Sequence, residues 1–132
     1  MLQSENQVSE FKSKSGFSRI LAAYRYSLNG LQFAWKSEYA FRQELIVSIP
    51  AVILAVQLPI SSLKKLALVL VLALVLIVEL MNSAIEAVVD RISLERHPLS
   101  KNAKDLGSAA VFLTVIVAVV TWCVIIVPII AI

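Results

Sequence analysis

Charged residues are scarce in this sequence. Only 16% of its 132 residues are Asp, Glu, Lys or Arg, against about 25% in soluble globular proteins. Apolar residues make up 59%, and the mean hydropathy is +0.85. A soluble domain of this length needs polar residues to cover the large share of its surface that faces water. The shortage excludes a disordered chain, a fibre and an ordinary soluble enzyme, and it indicates an integral membrane protein.

Cysteine, histidine and glycine are scarce as well. Cys123 has no second cysteine with which to form an internal disulfide, and its apolar neighbours favour packing over reactivity. Because His97 is the one histidine, no pair of His or Cys has the spacing of a zinc site. Three glycines and the lack of a G-x-x-x-x-G-K-[ST] sequence exclude a P-loop. Any nucleotide site in this chain must therefore be built in another way.

Three apolar runs predict three transmembrane helices. A helix needs about 20 residues to cross a hydrocarbon layer ~30 Å thick. The run Ala109–Ile132 is long enough by itself, whereas Leu45–Ile60 and Leu66–Val78 reach that length only with their flanking residues. No segment shows the alternation of a strand. We therefore predict an all-α membrane protein with spans at about 41–60, 62–90 and 107–130.

The segment ahead of the first span predicts a tail and a surface helix. Residues 1–16 are polar and lack the basic start and apolar core of a secretory signal, so we expect a retained tail. Over about 17–36, apolar residues recur every three or four positions, and most basic residues lie on other faces. This pattern is typical of an amphipathic helix at a membrane interface; the alternative is a soluble helix packed on a partner. We treat 17–132 as a single membrane-embedded domain.

The basic residues predict the orientation in the membrane. Of twelve Lys and Arg residues, Lys64 and Lys65 are the two between the first and second runs. The other ten either precede the first run or lie between the second and third. Lys and Arg concentrate in cytoplasmic loops. We therefore predict that the N-terminus and the loop Asp90–Asp105 are cytoplasmic.

Four polar residues form what we call the acidic stripe: Glu79, Asn82, Glu86 and Asp90. On a helix they share an arc of about 80°. A helix that begins near Ser62 places Glu79 roughly 27 Å along its axis, close to the inner boundary of the hydrocarbon. Aligned carboxylates repel one another, and an ionisable residue in a span indicates a functional site.

Several interpretations of the acidic stripe remain open. It suits a cation path, a divalent metal site or a general base. The structural alternative is helix–helix packing, with Asn82 and Ser83 bonding across a bundle, or a scaffold with the acids in salt bridges to other subunits. Packing does not explain acids that have no basic partner on the same face. The run Leu66–Val78 contains no polar side chain that could bind an ion, and this argues against a pore.

Two further segments carry charge next to the predicted spans. The segment Lys101–Ser108 reads as an ordinary basic flank, with Asp105 near the start of a helix. Acidic and basic residues also alternate over Lys36–Glu44, where the surface helix meets the first span. His97 reads as a solvated residue of the loop before Lys101.

Three motifs resemble the bacterial diacylglycerol kinase family of small membrane lipid kinases. They are Glu79–Arg91 (ELMNSAIEAVVDR), Ala103–Ala110 (AKDLGSAA) and Ala40–Glu44 (AFRQE), and the resemblance extends from about Phe17 to Cys123. It implies a homotrimer of three-span subunits in the bacterial inner membrane, with sites shared between neighbouring subunits. It also implies transfer of phosphate from ATP, with Mg²⁺ as cofactor, to the primary hydroxyl of diacylglycerol, giving phosphatidic acid. Membrane lipids are then expected around the protein, and no nucleic acid is expected as a partner.

The same resemblance implies roles for individual residues. Glu79 is expected to be the catalytic base, and Glu38 and Glu86 are expected to hold Mg²⁺ against the ATP phosphates. The nucleotide site is further expected to contain Arg19, Tyr26, Glu95, His97, Lys104 and Asp105. The lipid site is expected to contain Arg19, Ala34, Trp35, Arg42, Glu44, Glu79 and Ser108. Phosphorylation of undecaprenol, on which some relatives act, is the alternative within the family, and a small oligomeric cation conduit is the alternative outside it.

Overall fold

Four helices account for nearly all of the described chain. The computed structural model describes residues 16–92 and 95–131, and no strand occurs in these ranges. The helices are α1 (Gly16–Ser37), α2 (Tyr39–Gln57), α3 (Ser62–Ile92) and α4 (Pro98–Ile130). The predicted all-α class is confirmed. The predicted tail, apart from Gly16, lies outside the described residues.

The chain divides into two compact units, one ending at Ser37 and the other beginning at Glu38. The described part of the first unit is α1, whose 22 residues extend the predicted helix by one position at each end. Phe17, Ile20 and Tyr24 are exposed and recur at helical spacing on α1. The predicted helix is therefore confirmed, and its place at a membrane interface stays a prediction.

In the second unit, α3 packs against both α2 and α4. Leu68 of α3 is fully buried. The indole N–H of Trp122 on α4 donates to the carbonyl oxygen of Leu68 across 3.3 Å. Ala55 of α2 and Ala118 of α4 are also buried, and small residues let helices approach closely in membranes. This packing fixes the faces that α2 and α4 turn towards α3.

The three helices of this unit are each long and apolar enough to cross a membrane. Large side chains such as Ile53, Ile77 and Val124 are more than half exposed on them. A helix that is apolar on all sides is stable where lipid or other helices surround it. The prediction of three membrane-crossing helices is confirmed.

Two helix ends differ from the prediction. The chain leaves α2 after Gln57 because Leu58, which precedes Pro59, is extended. At the other end of the bundle, α4 begins at Pro98 rather than near residue 107. Its Asp105 therefore lies inside the helix, and the prediction of a loop over Asp90–Asp105 is wrong.

The early start of α4 has a local cause. Pro98 occupies the first turn, where its fixed φ suits a helix and its missing N–H costs nothing. His97 precedes it as the N-cap, and its Nδ1 accepts a hydrogen bond from the backbone N–H of Leu99 at 3.2 Å. His97 is exposed, as predicted, but it caps a helix instead of lying within a longer loop.

Truncation of Leu68 tests the packing of α3. We expect Leu68→Ala to lower the free energy of unfolding in detergent by about 2–5 kcal/mol, because it leaves a cavity between packed helices. Thermal unfolding followed by circular dichroism measures the change. Leu63→Ala is the matched control, since Leu63 is 76% exposed at the start of the same helix. Equal effects of the two substitutions would contradict the described packing.

Candidate functional site

The acidic stripe lies on one uninterrupted helix, as predicted, because α3 runs from Ser62 to Ile92. Its residues differ in exposure. Glu79 is 5% exposed, Asn82 and Glu86 are half-buried, and Asp90 is exposed. The stripe therefore passes from the packed interior of the unit to its open end.

Two carboxylates from the start of α2 lie close to Glu79. Glu38 is the N-cap residue of α2, and Glu44 is half-buried further along that helix. Glu79 interacts electrostatically with Glu38, Glu86 and Glu44. The Oε2 atom of Glu44 is buried and has no hydrogen-bond partner among the described residues. Three acidic side chains thus gather around Glu79, and a group of four carboxylates favours a bound cation or proton.

Asn82 connects the stripe to α4. Its Nδ2 donates to Oε1 of Glu86 across 3.2 Å, within α3. This hydrogen bond lies within α3, whereas the structural alternative for the stripe had Asn82 bonding across a bundle. Its Oδ1 is buried and has no hydrogen-bond partner in the described ranges.

Gly107 of α4 is buried directly opposite Asn82. A Cβ at Gly107 would collide with Oδ1 of Asn82 and lie 3.3 Å from its Cγ. Gly107 belongs to the AKDLGSAA motif, but no role was predicted for it. The signal was a glycine inside a long helical pattern, which usually has a packing or functional reason.

Asp90 has a basic partner that a single helix face does not reveal. Lys104 of α4 places its Nζ 2.7 Å from Oδ1 of Asp90. One turn earlier on α4, Lys101 pairs with Asp105 at 2.5 Å. The open end of the stripe therefore carries lysine side chains as well as carboxylates.

A pocket of about 640 Å³ opens at this end. It is lined by four of the residues predicted for the nucleotide site, together with Asp90 from the stripe; the four are Glu95, His97, Lys104 and Asp105. The volume is within the range of pockets that hold small organic ligands. The structure thus brings these residues together beside the stripe.

The remaining predicted residues lie elsewhere. In the second unit, the guanidinium of Arg42 stacks 5.7 Å from the ring centroid of Tyr39, and Ser108 is exposed next to Gly107. The other four belong to α1, in the first unit: Arg19, Tyr26, Ala34 and Trp35. Arg19 and Tyr26 share a face of α1, being about two turns apart.

The donor set at the stripe suits magnesium. The described part of the chain contains no group of three or more His, Cys, Asp or Glu residues arranged to hold a metal ion. Mg²⁺ commonly takes one or two carboxylates and completes its shell with substrate phosphates and water. Glu38 and Glu86 offer two carboxylates, both close enough to interact with Glu79.

The fold and this site define a small membrane protein with a carboxylate cluster beside a charged pocket. A family model described as prokaryotic diacylglycerol kinase matches residues 25–126. The chain is 52% identical over 110 residues to the diacylglycerol kinase of Escherichia coli, covering 83% of this chain and 90% of that protein. It is 52% identical over 114 residues to that of Pseudomonas aeruginosa, covering 86% and 93%. It is 39% identical over 108 residues to that of Haemophilus influenzae, covering 82% and 92%. The chain belongs to the prokaryotic diacylglycerol kinase family.

Proposed function

We propose that this chain transfers the γ-phosphoryl group of ATP to the primary hydroxyl of diacylglycerol, giving phosphatidic acid and ADP. The observation that carries the proposal is the burial of Glu79 among three other carboxylates. It lies on the helix face that leads, about three turns further along α3, to the pocket lined by Asp90. The relatives that the chain matches at 52% identity are named diacylglycerol kinase. That name favours diacylglycerol over undecaprenol as the substrate.

Glu79 is the general base in this proposal. Its carboxylate accepts the proton of the lipid hydroxyl while the hydroxyl oxygen bonds to the γ-phosphorus. The bond between that phosphorus and the β–γ bridging oxygen breaks, and ADP leaves with the electron pair. A base on a membrane helix acts on an alcohol that never leaves the bilayer, and positioning with charge stabilisation supplies most of the catalysis in phosphoryl transfer.

Of the charged groups around Glu79, some are proposed to bind Mg²⁺ and the others to bind the nucleotide. Glu38 and Glu86 would hold Mg²⁺, which neutralises phosphate charge when bound. Lys104 brings a positive charge to the pocket, where Asp90 orients it at 2.7 Å. His97, Glu95 and Asp105 are assigned to the nucleotide in the same pocket, and Arg19 and Tyr26 on α1 are assigned to it as well.

The residues proposed to bind diacylglycerol lie mainly on the apolar, membrane-crossing helices. Glu44 and Arg42 at the start of α2 and Ser108 of α4 lie on membrane-crossing helices. A diacylglycerol presents one hydroxyl on an otherwise apolar body, so a few polar groups on apolar helices match its chemistry. Ala34 and Trp35 of α1 are assigned to the same lipid.

We further propose that the protein lies in the bacterial inner membrane as a homotrimer. The distribution of Lys and Arg places the N-terminus and the α3–α4 connection in the cytoplasm, where ATP is available. The apolar side chains exposed along α4 would face lipid and neighbouring copies. In such a trimer, sites would be shared between neighbouring copies.

Transfer of label from [γ-³²P]ATP to diacylglycerol in mixed micelles tests the proposed function. We expect labelled phosphatidic acid that depends on both Mg²⁺ and protein, because Glu79 is proposed as the base and Glu38 and Glu86 are proposed as the metal ligands. Competition between diacylglycerol and undecaprenol in one assay measures the preference, and we expect diacylglycerol to win. Liposomes containing the protein should show no cation flux without ATP. Unlabelled lipid at every acyl-chain length, or ATP-independent flux, would contradict the proposal.

A further inference from the structure

Gly107 and Asn82 form a contact between α4 and α3 that the reaction described above does not use. Gly107 is buried on α4, and Asn82 lies one turn from Glu86 on α3. We propose that Gly107 is a positioning residue for Glu86, acting through the side-chain amide of Asn82. The inference rests on the proposed function, in which Glu86 holds Mg²⁺.

The first step is the space that Gly107 leaves. A Cβ on this residue would clash with Oδ1 of Asn82 and lie 3.8 Å from the Cα of Asn82. In a glycine that direction carries a hydrogen, so the Cα–H of Gly107 points at Oδ1. Contacts of this Cα–H···O kind recur where helices pack closely. The contact accounts for a buried amide oxygen that lacks a hydrogen-bond partner among the described residues.

The second step is the planarity of the amide. The amide group of Asn82 is planar, and its Oδ1 and Nδ2 lie on opposite sides of the line of the Cβ–Cγ bond. Holding Oδ1 against α4 therefore turns Nδ2 away from α4. Nδ2 then donates to Oε1 of Glu86 across 3.2 Å. Asn82 thereby fixes one carboxylate oxygen of Glu86 and leaves Oε2 available to a cation. Partners that orient a metal ligand in this way typically contribute about 10- to 100-fold to metal affinity.

A methyl group at Gly107 removes this arrangement. The methyl group would collide with Oδ1 and lie 3.3 Å from Cγ, so the amide of Asn82 must rotate or the helices must separate. Either change takes Nδ2 away from Glu86. The carboxylate then adopts other rotamers, and the binding of a metal ion between Glu86 and Glu38 weakens.

Calorimetric titration of Mg²⁺ into the purified full-length protein, with a non-hydrolysable ATP analogue present, measures this effect without turnover. We expect Gly107→Ala to weaken Mg²⁺ binding about 10-fold or more. Gly30→Ala is the matched control, because a Cβ at Gly30 meets nothing within 4 Å, and we expect unchanged binding. Unchanged binding in Gly107→Ala, or a loss of thermal stability alone, would overturn the proposal.

A double-mutant cycle with Asn82→Ala separates positioning from simple packing. If Gly107 acts through Asn82, the double variant binds Mg²⁺ as weakly as Asn82→Ala alone, since the colliding amide is gone. If instead the loss of Mg²⁺ affinity in the double variant equalled the product of the losses in the two single variants, Gly107 would act independently of Asn82, and the proposal would be overturned. Should Gly107→Ala not fold, the double variant decides: recovery of folded protein with the affinity of Asn82→Ala supports the proposal, and continued misfolding overturns it. Label transfer by the unmodified protein tests the proposed function separately.

Discussion

Glu79→Gln is expected to remove turnover while leaving a folded protein. Glu79 is 5% exposed and interacts with Glu38, Glu44 and Glu86. The amide has nearly the shape of the carboxylate but cannot accept the hydroxyl proton. General-base catalysis contributes roughly 100- to 10,000-fold, so kcat for diacylglycerol should fall by about that factor. The measurement is initial rates of label transfer at saturating ATP and Mg²⁺.

Stability distinguishes a lost base from a damaged fold. The substitution removes one negative charge from a group of four carboxylates, so the melting temperature of Glu79→Gln should equal or exceed that of the unmodified protein. Glu10→Gln makes the same chemical change in the N-terminal segment and should leave kcat unchanged. A Glu79→Gln protein with normal kcat would show that another group takes the proton.

The fold could be predicted from the sequence wherever hydrophobicity alone determines it. The apolar run Leu66–Val78 and the acidic stripe belong to one helix in the structure, and no Gly or Pro interrupts the sequence between Ser62 and Ile92. The start of α4 was missed, although Pro98 is a residue typical of a first helical turn. The apolar run indicates that the span starts at about residue 107, because the first turns of α4 are polar and charged.

The site could be predicted from the sequence only in part, because its contacts join different helices. The stripe was visible from spacing along α3. The pairing of Asp90 with Lys104, and the contact of Gly107 with Asn82, depend on how α4 packs against α3. No periodicity in one helix contains that information. The resemblance named Lys104 for the nucleotide site, and the structure adds Asp90 as its ion-pair partner.

Substitution of Glu86 is expected to have the second large effect, on the requirement for Mg²⁺. Glu86→Gln retains an Oε1 that accepts from Nδ2 of Asn82, so the side chain keeps its place. It loses the negative charge that a hard cation needs from its ligand. The Mg²⁺ concentration for half-maximal activity should therefore rise by more than about 100-fold, beyond the effect of losing an orienting partner. Glu86→Ala, which loses both the charge and the oxygen atoms, should have no Mg²⁺-dependent activity.

The graded series around Glu86 is more informative than either variant alone. Gly107→Ala and Asn82→Ala leave the charge of Glu86 in place, so their loss of Mg²⁺ affinity should be smaller than that of Glu86→Gln. Glu38→Gln should resemble Glu86→Gln, because the two carboxylates are proposed to share one ion. Rates measured across Mg²⁺ concentrations, with Glu10→Gln as the control, establish the order. A normal Mg²⁺ requirement in Glu86→Gln would exclude Glu86 as a ligand of the ion.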